Sequence, residues 1–222
     1  MEMSADRTLA ELVLERPAAA RVFARLGLDY CCGGRDSLED ACHARGLDAR
    51  TVLVFLEHER EPVAIEGVDW TTVPLGELCA HIVEEHHARL RWELPRLGEL
   101  AAAAAAAHGS ERPELAVLCD ELAALREELE EHVDEEEREL FPLLTAGAVD
   151  RSRVERLLHE HDATGARLRR LRGLGGDYDA ATALCATHRA LLDGLHGLEL
   201  DLHQHVHEEN NILFPRALAE SA

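Results

Sequence analysis

Two segments of this chain repeat one pattern: His132-Val133-Asp134-Glu135-Glu136 and His205-Val206-His207-Glu208-Glu209 each set a histidine four residues before a glutamate. Each is followed at the same distance by Leu-Phe-Pro, at Leu140-Phe141-Pro142 and at Leu213-Phe214-Pro215. Positions four apart share one face of an α-helix, so the imidazole and the carboxylate can reach one ion or an ion pair. A single such pattern is common on a solvated helix. Two copies with matching tails predict an internal repeat of two helical hairpins.

Composition agrees with helices throughout. Ala, Leu, Glu and Arg dominate, and aromatic residues make up only 4% of the 222 residues. These side chains lose little rotamer freedom in a helix, which predicts an all-α fold. The length allows a bundle with a small appendage. In residues 8–26, Leu9, Leu12, Val13, Val22, Phe23 and Leu26 form an apolar stripe that Pro17 interrupts and Gly27 ends. Asp29-Tyr30-Cys31-Cys32-Gly33-Gly34 reads as a turn. Ser37 with Asp40 opens a helix in the manner of a capping box, and residues 49–59 form another short helix. Residues 1–60 are therefore expected as a small helical domain. Residues 61–73, with Pro62 and Gly67, are expected as a linker that lets this domain move. Residues 74–222 are expected as an antiparallel four-helix bundle, its helices at 75–107, 113–144, 151–172 and 180–219, with Gly147 and the 173–176 glycine cluster at the joins.

If the second and fourth helices supply His132, Glu136, His205 and Glu209, the first and third should each add a ligand. The first offers His81, His86 and His87, and the third His159 and His161. In an antiparallel hairpin, ligands at one height sit equally far from the shared turn. His87 lies 20 residues before Ala107 and His132 lies 20 after Arg112. Glu136 lies 8 before Leu144 and His161 lies 9 after Ser152. Both favour His87 and His161, although the last hairpin does not balance. Imidazole mixed with carboxylate suits iron or manganese and allows zinc. Iron is the expected metal: two ions, with an oxo or hydroxo bridge and an open position for a small molecule. His86, His159 and His207 point about 100° from the proposed ligands. His43, His58, His108, His188 and His196 are expected to face solvent.

Charge narrows the partners. With 44 acidic and 23 basic residues the formal charge is −21, which opposes binding to nucleic acid or an anionic membrane. The alanine run 101–107 is too short to span a bilayer, and the opening residues carry neither a basic nor an apolar leader segment. A cytoplasmic location is expected. Cys31, Cys32, Cys42, Cys79, Cys119 and Cys185 then read as free thiols. Cys31 and Cys32, beside two glycines in a turn, are expected to be exposed and reactive.

At these residues the chain resembles the repair-of-iron-centres family, hemerythrin-like di-iron proteins with a small N-terminal cysteine domain. The resemblance rests on Leu28-Asp29-Tyr30-Cys31-Cys32-Gly33-Gly34, on His86-His87 followed by Glu93-Leu94-Pro95, and on Glu160-His161-Asp162. It rests also on the two His-to-Glu segments and on Asn210-Asn211-Ile212. It implies that His87, His132, His161 and His205 are terminal iron ligands, that Glu136 and Glu209 bridge, and that the protein helps restore iron–sulfur clusters damaged by nitric oxide or oxidants. Damaged iron–sulfur proteins, nitric oxide and oxygen are then the expected partners, and a homodimer is allowed. Reduction of nitric oxide at the two irons, with Cys31 and Cys32 as acceptors, or sensing of oxygen or nitric oxide, are the competing readings. Cys42 has no role in the resemblance.

Overall fold

The structure, a computed structural model, describes residues 4–59 and 68–220. Among them the fold is all-α, without strands beyond an antiparallel bridge between Thr8 and Ser37. The chain divides into two units, residues 1–74 with 203–216 and residues 75–202 with 217–222.

The first unit begins with α1 (Leu9–Glu15), α2 (Ala19–Leu26), α3 (Leu38–Ala44) and α4 (Ala49–His58). The reciprocal capping box belongs to α1, where the Thr8 hydroxyl accepts from Glu11 N–H at 3.2 Å and Glu11 accepts from Thr8 N–H at 3.1 Å. Ser37 caps α3 through its hydroxyl alone: it accepts from Asp40 N–H, and Asp40 turns its carboxylate back to the Ser37 hydroxyl. Pro17 breaks the first stripe, as expected from its missing N–H. Gly27 ends α2 in the left-handed region at φ 66°, where a side chain would be strained. Leu9, Leu12, Val22, Phe23, Tyr30, Leu38, Cys42 and Leu56 form this unit's core. Cys42 is fully buried there, so its role is packing.

Residues 60–67, most of the expected linker, lie outside the described residues. The rest is held in place, since the Arg216 guanidinium donates to the carbonyls of Trp70, at 2.7 Å, and Val73.

The second unit holds four long rods: α5 (75–108), α6 (114–145), α7 (151–174) and the part of α8 (186–220) up to Leu202. Leu94 and Leu97 of α5, Leu122 and Leu125 of α6, Leu168 and Leu171 of α7, and Leu191, Leu195 and Leu198 of α8 meet in one core. Burying each leucine contributes roughly 1.5–3 kcal/mol. The last rod starts at Ala186 and not at residue 180. Asp179 explains the delay: its carboxylate accepts from Ala181 N–H at 2.8 Å and its carbonyl from the Thr182 hydroxyl at 2.7 Å, which favours a short 3-10 turn over an α-helix.

Three rods are not regular. α5 widens into a π-helix at Ile82–His87, α6 at Glu136–Leu140 and α8 at Glu209–Leu213. The last two end just before Pro142 and Pro215. A proline cannot donate to the preceding turn and its ring crowds that turn's carbonyl, so the widening fits there. No proline follows the first closely.

Candidate metal centre

Within the bundle unit, His87, His132, Glu136 and His161 are all buried, and Glu136 is fully enclosed. Glu136 Oε2 lies 3.4 Å from His87 Nε2, and its Oε1 lies 3.4 Å from His132 Nε2. The carboxylate therefore presents one oxygen to each of two histidines on different helices. His161 Nε2 stands 3.0 Å from His132 Nε2. Two nitrogens bound at ~2.1 Å to one ion, at right angles, stand about 3.0 Å apart.

The far side of each ring is fixed by a carboxylate. His87 Nδ1 lies 2.9 Å from Glu137 Oε1, and His132 Nδ1 lies 3.0 Å from Glu160 Oε2. Such partners select the tautomer and leave Nε2 as the donor toward a cation. An arginine closes each relay: Arg91 donates to Glu137 at 2.6 Å and Arg156 to Glu160 at 3.0 Å. Burial pushes the Glu137 carboxyl up, but the hydrogen bonds from Arg91 and His87 outweigh it and hold the group below the usual range. The hydrogen bond from His132, reinforced by Arg156 against desolvation, holds Glu160 low as well. Both stay anionic and keep their histidines oriented. A cleft of about 800 Å³, lined by Glu131, His132, Glu135, Arg156 and Glu160, opens beside His132.

His205 and Glu209 lie on α8 within residues 203–216, also fully buried, with His205 Nε2 3.1 Å from Glu209 Oε1. The neighbouring histidines sort differently from one another. His86 is buried and its Nδ1 faces Asp201 at 3.2 Å, while His159 is exposed. His207 is buried against the Tyr30 carbonyl. His43, His58 and His196 are exposed and His108 is half-buried, but His188 is buried at 3% exposure, against expectation. Its Nδ1 accepts the Leu184 N–H at 3.2 Å and so satisfies a backbone donor just before the rod begins.

The cysteine turn also departs from expectation. Cys31 is buried, at 4% exposure, and only Cys32 is partly exposed. The reason is that α8 packs on the turn: Asn211 Nδ2 donates to the Cys31 carbonyl at 3.1 Å, and the Tyr30 ring lies 5.6 Å from the His207 ring. The hydrogen bond from its own thiol to Cys32, and then burial, push the Cys31 thiol well above the ordinary range, so it is not a ready thiolate. Nothing in the sequence marked Glu137, Arg91 or Arg156 as partners of the histidines, and Asp29 and Glu160 figured only in the resemblance. Asn210-Asn211 figured in the resemblance without a function.

A four-helix unit that turns a shared carboxylate and carboxylate-held imidazoles into its core defines a cation-binding bundle of the hemerythrin kind. Residues 80–217 match the family described as "Hemerythrin HHE cation binding domain", and residues 5–60 match "Domain of Unknown function (DUF542)". Similar proteins include the "Iron-sulfur cluster repair protein YtfE" of Edwardsiella ictaluri (strain 93-146), 39% identical over 97% of this chain and 98% of the relative. Those of Dickeya chrysanthemi (strain Ech1591) and Escherichia coli O157:H7 are 35% and 34% identical, each over 96% of this chain and 97% of the relative. The chain belongs to the family of these iron–sulfur cluster repair proteins.

Proposed function

We propose that the protein repairs iron–sulfur clusters damaged by oxidative or nitrosative stress, and that its bundle holds two irons. His87, His132, His161 and His205 are the terminal ligands, and Glu136 and Glu209 the bridges, with an oxo or hydroxo group completing the set. The observation that carries this reading is Glu136, whose two oxygens each stand 3.4 Å from the Nε2 of a different histidine. His205 and Glu209 repeat its spacing on the fourth rod, and the matched cation-binding domain spans all six residues. The donor set fits iron, since neutral imidazole and carboxylate together suit a redox-active ion of intermediate softness. Bound there, iron supplies redox chemistry toward small molecules and a store of metal for a damaged cluster. Glu137 and Glu160 hold the imidazoles in place, and the cleft beside His132 admits small ligands such as nitric oxide or oxygen. Cys31 and Cys32 act in repair from the other unit. In this reading damaged iron–sulfur proteins are the partners, and the work is done in the cytoplasm, where thiols stay reduced.

The test is metal analysis of anaerobically purified protein together with reactivation of a nitric-oxide-treated iron–sulfur enzyme. We expect about two irons per chain, as in other helical carboxylate centres. His132→Ala and His205→Ala should lose iron and repair activity, because each leaves a buried carboxylate without its metal. Full iron content in both variants would sink the assignment.

A further inference from the structure

The cysteine turn carries a cluster that the bundle centre does not use. Asp29, Cys31 and Cys32 each offer one donor atom, and the three atoms lie within 4.8 Å of one another. Cys31 Sγ stands 3.9 Å from Cys32 Sγ and 3.2 Å from Asp29 Oδ1. Two thiolates bound to one ion at ~2.3 Å in tetrahedral geometry stand about 3.8 Å apart. The vicinal sulfurs are thus already at the separation of a chelate.

The turn is also built before any ion arrives. Asp29 Oδ1 accepts from Cys32 N–H at 2.9 Å and from Gly33 N–H at 3.2 Å. Asn211 and Asn210 donate to the Cys31 carbonyl at 3.1 and 3.4 Å, and Ala10 N–H donates to the Gly34 carbonyl at 2.9 Å. A Cβ at Gly33 would sit 2.8 Å from the Asp29 carbonyl oxygen, and one at Gly34 would sit 2.5 Å from that of Tyr30. Only glycine lets the chain fold back this closely. A loop fixed in its binding geometry does not lose that entropy again on binding.

We propose that Asp29, Cys31 and Cys32 form a second, separate metal site for a thiophilic divalent cation. Two sulfurs and one carboxylate oxygen leave a fourth position unfilled by these residues, and Cys32 is partly exposed. A structural zinc site closes with four protein ligands, whereas three donors with an opening suit an ion in transit. Binding replaces two S–H bonds with two metal–sulfur bonds and releases two protons to solvent; no electron changes hands. That the ion in the cell is ferrous iron rests on the repair reading. The site itself does not.

Cobalt(II), added anaerobically to the full-length protein, is the probe. Thiolate ligation gives a sulfur-to-cobalt charge-transfer absorption in the near ultraviolet, which the imidazole and carboxylate donors of the bundle cannot produce. The band should saturate at about one cobalt per chain, vanish in Cys31→Ser and in Cys32→Ser, and be displaced by zinc, which thiolate ligands favour. Asp29→Asn keeps an oxygen acceptor for the Cys32 and Gly33 N–H groups but removes the charge, and should weaken cobalt binding about tenfold or more. In His132→Ala the band should persist unchanged, which separates this site from the bundle centre. Three results would each overturn the proposal: no charge-transfer band in the wild type at saturating cobalt, a band that survives the two serine substitutions together, or undiminished affinity in Asp29→Asn.

Discussion

Glu136 and Glu137 are neighbours in the chain with different partners. Glu136 points both oxygens at ring nitrogens inside the bundle, while Glu137 holds the outer nitrogen of His87 and is tied to Arg91. On the proposed di-iron reading, Glu136→Gln should therefore weaken magnetic coupling between the irons, and Glu137→Gln, whose amide oxygen can still accept from His87, should leave it unchanged. Mössbauer and susceptibility measurements on both variants decide it, and equal effects would refute the assigned roles. His188 makes a second prediction. Burial, followed by the charges of Arg112 and His108, holds its pKa below the ordinary histidine value. The unfolded chain then takes up a proton that the folded chain refuses. His188 contributes stability that is present above about pH 6.5 and is lost as pH falls through the lowered folded value. Melting curves between about pH 5 and 8 should fall more steeply on the acid side for the wild type than for His188→Gln, and parallel curves would remove the effect. The histidines proposed as ligands could be picked out because the His-to-Glu repeat and, for His87 and His161, the distance from a shared turn depend only on counting residues. Glu137, Glu160 and His188 were not, because their partners lie on other helices or beyond a helix start that the sequence placed six residues too early.

At the scale of the element, each of the last two π-turns begins at a carboxylate and turns the Leu-Phe-Pro segment that follows it. Glu136 and Glu209 each open one, and each turn closes with a bond from the residue just before proline, Phe141 N–H to the Glu136 carbonyl and Phe214 N–H to the Glu209 carbonyl. One extra residue in the turn rotates everything beyond it by about 100° relative to a regular helix. Pro142→Ala restores a donor and lets α6 close as a regular helix. We expect helical content to hold or rise slightly while iron content and coupling between the irons fall. Circular dichroism beside iron analysis measures both, and unchanged iron would mean that the proline does not set the turn. The Leu-Phe-Pro tails were visible in the sequence as markers of a repeat. Their mechanical meaning was not, because apolar periodicity gives the average pitch of a helix and smooths over a single inserted residue.

For the molecule as a whole, the proposed function gives the cysteine turn and the imidazole–carboxylate centre separate tasks. Replacing Cys31 and Cys32 together by serine should leave helicity and the two irons of the proposed bundle centre intact while abolishing reactivation of a nitric-oxide-damaged cluster. Wild-type repair in that variant would reduce the turn to packing, and loss of the magnetically coupled irons would make the cysteines ligands of the bundle centre. The all-α fold and the succession of helices could be read from composition and punctuation. The membership of residues 203–216 in the cysteine unit could not, since nothing local in α8 announces that Asn210 and Asn211 serve the backbone of Tyr30 and Cys31. That membership bears on heredity. The two units alternate along the chain, residues 75–202 separating the two segments of the cysteine unit and residues 217–222 returning to the bundle. A genetic crossover just after residue 74 that exchanged the front of the gene alone would separate the turn's carbonyls from the amides matched to them. The front of the reading frame and the stretch that encodes residues 203–216 therefore form one heritable block.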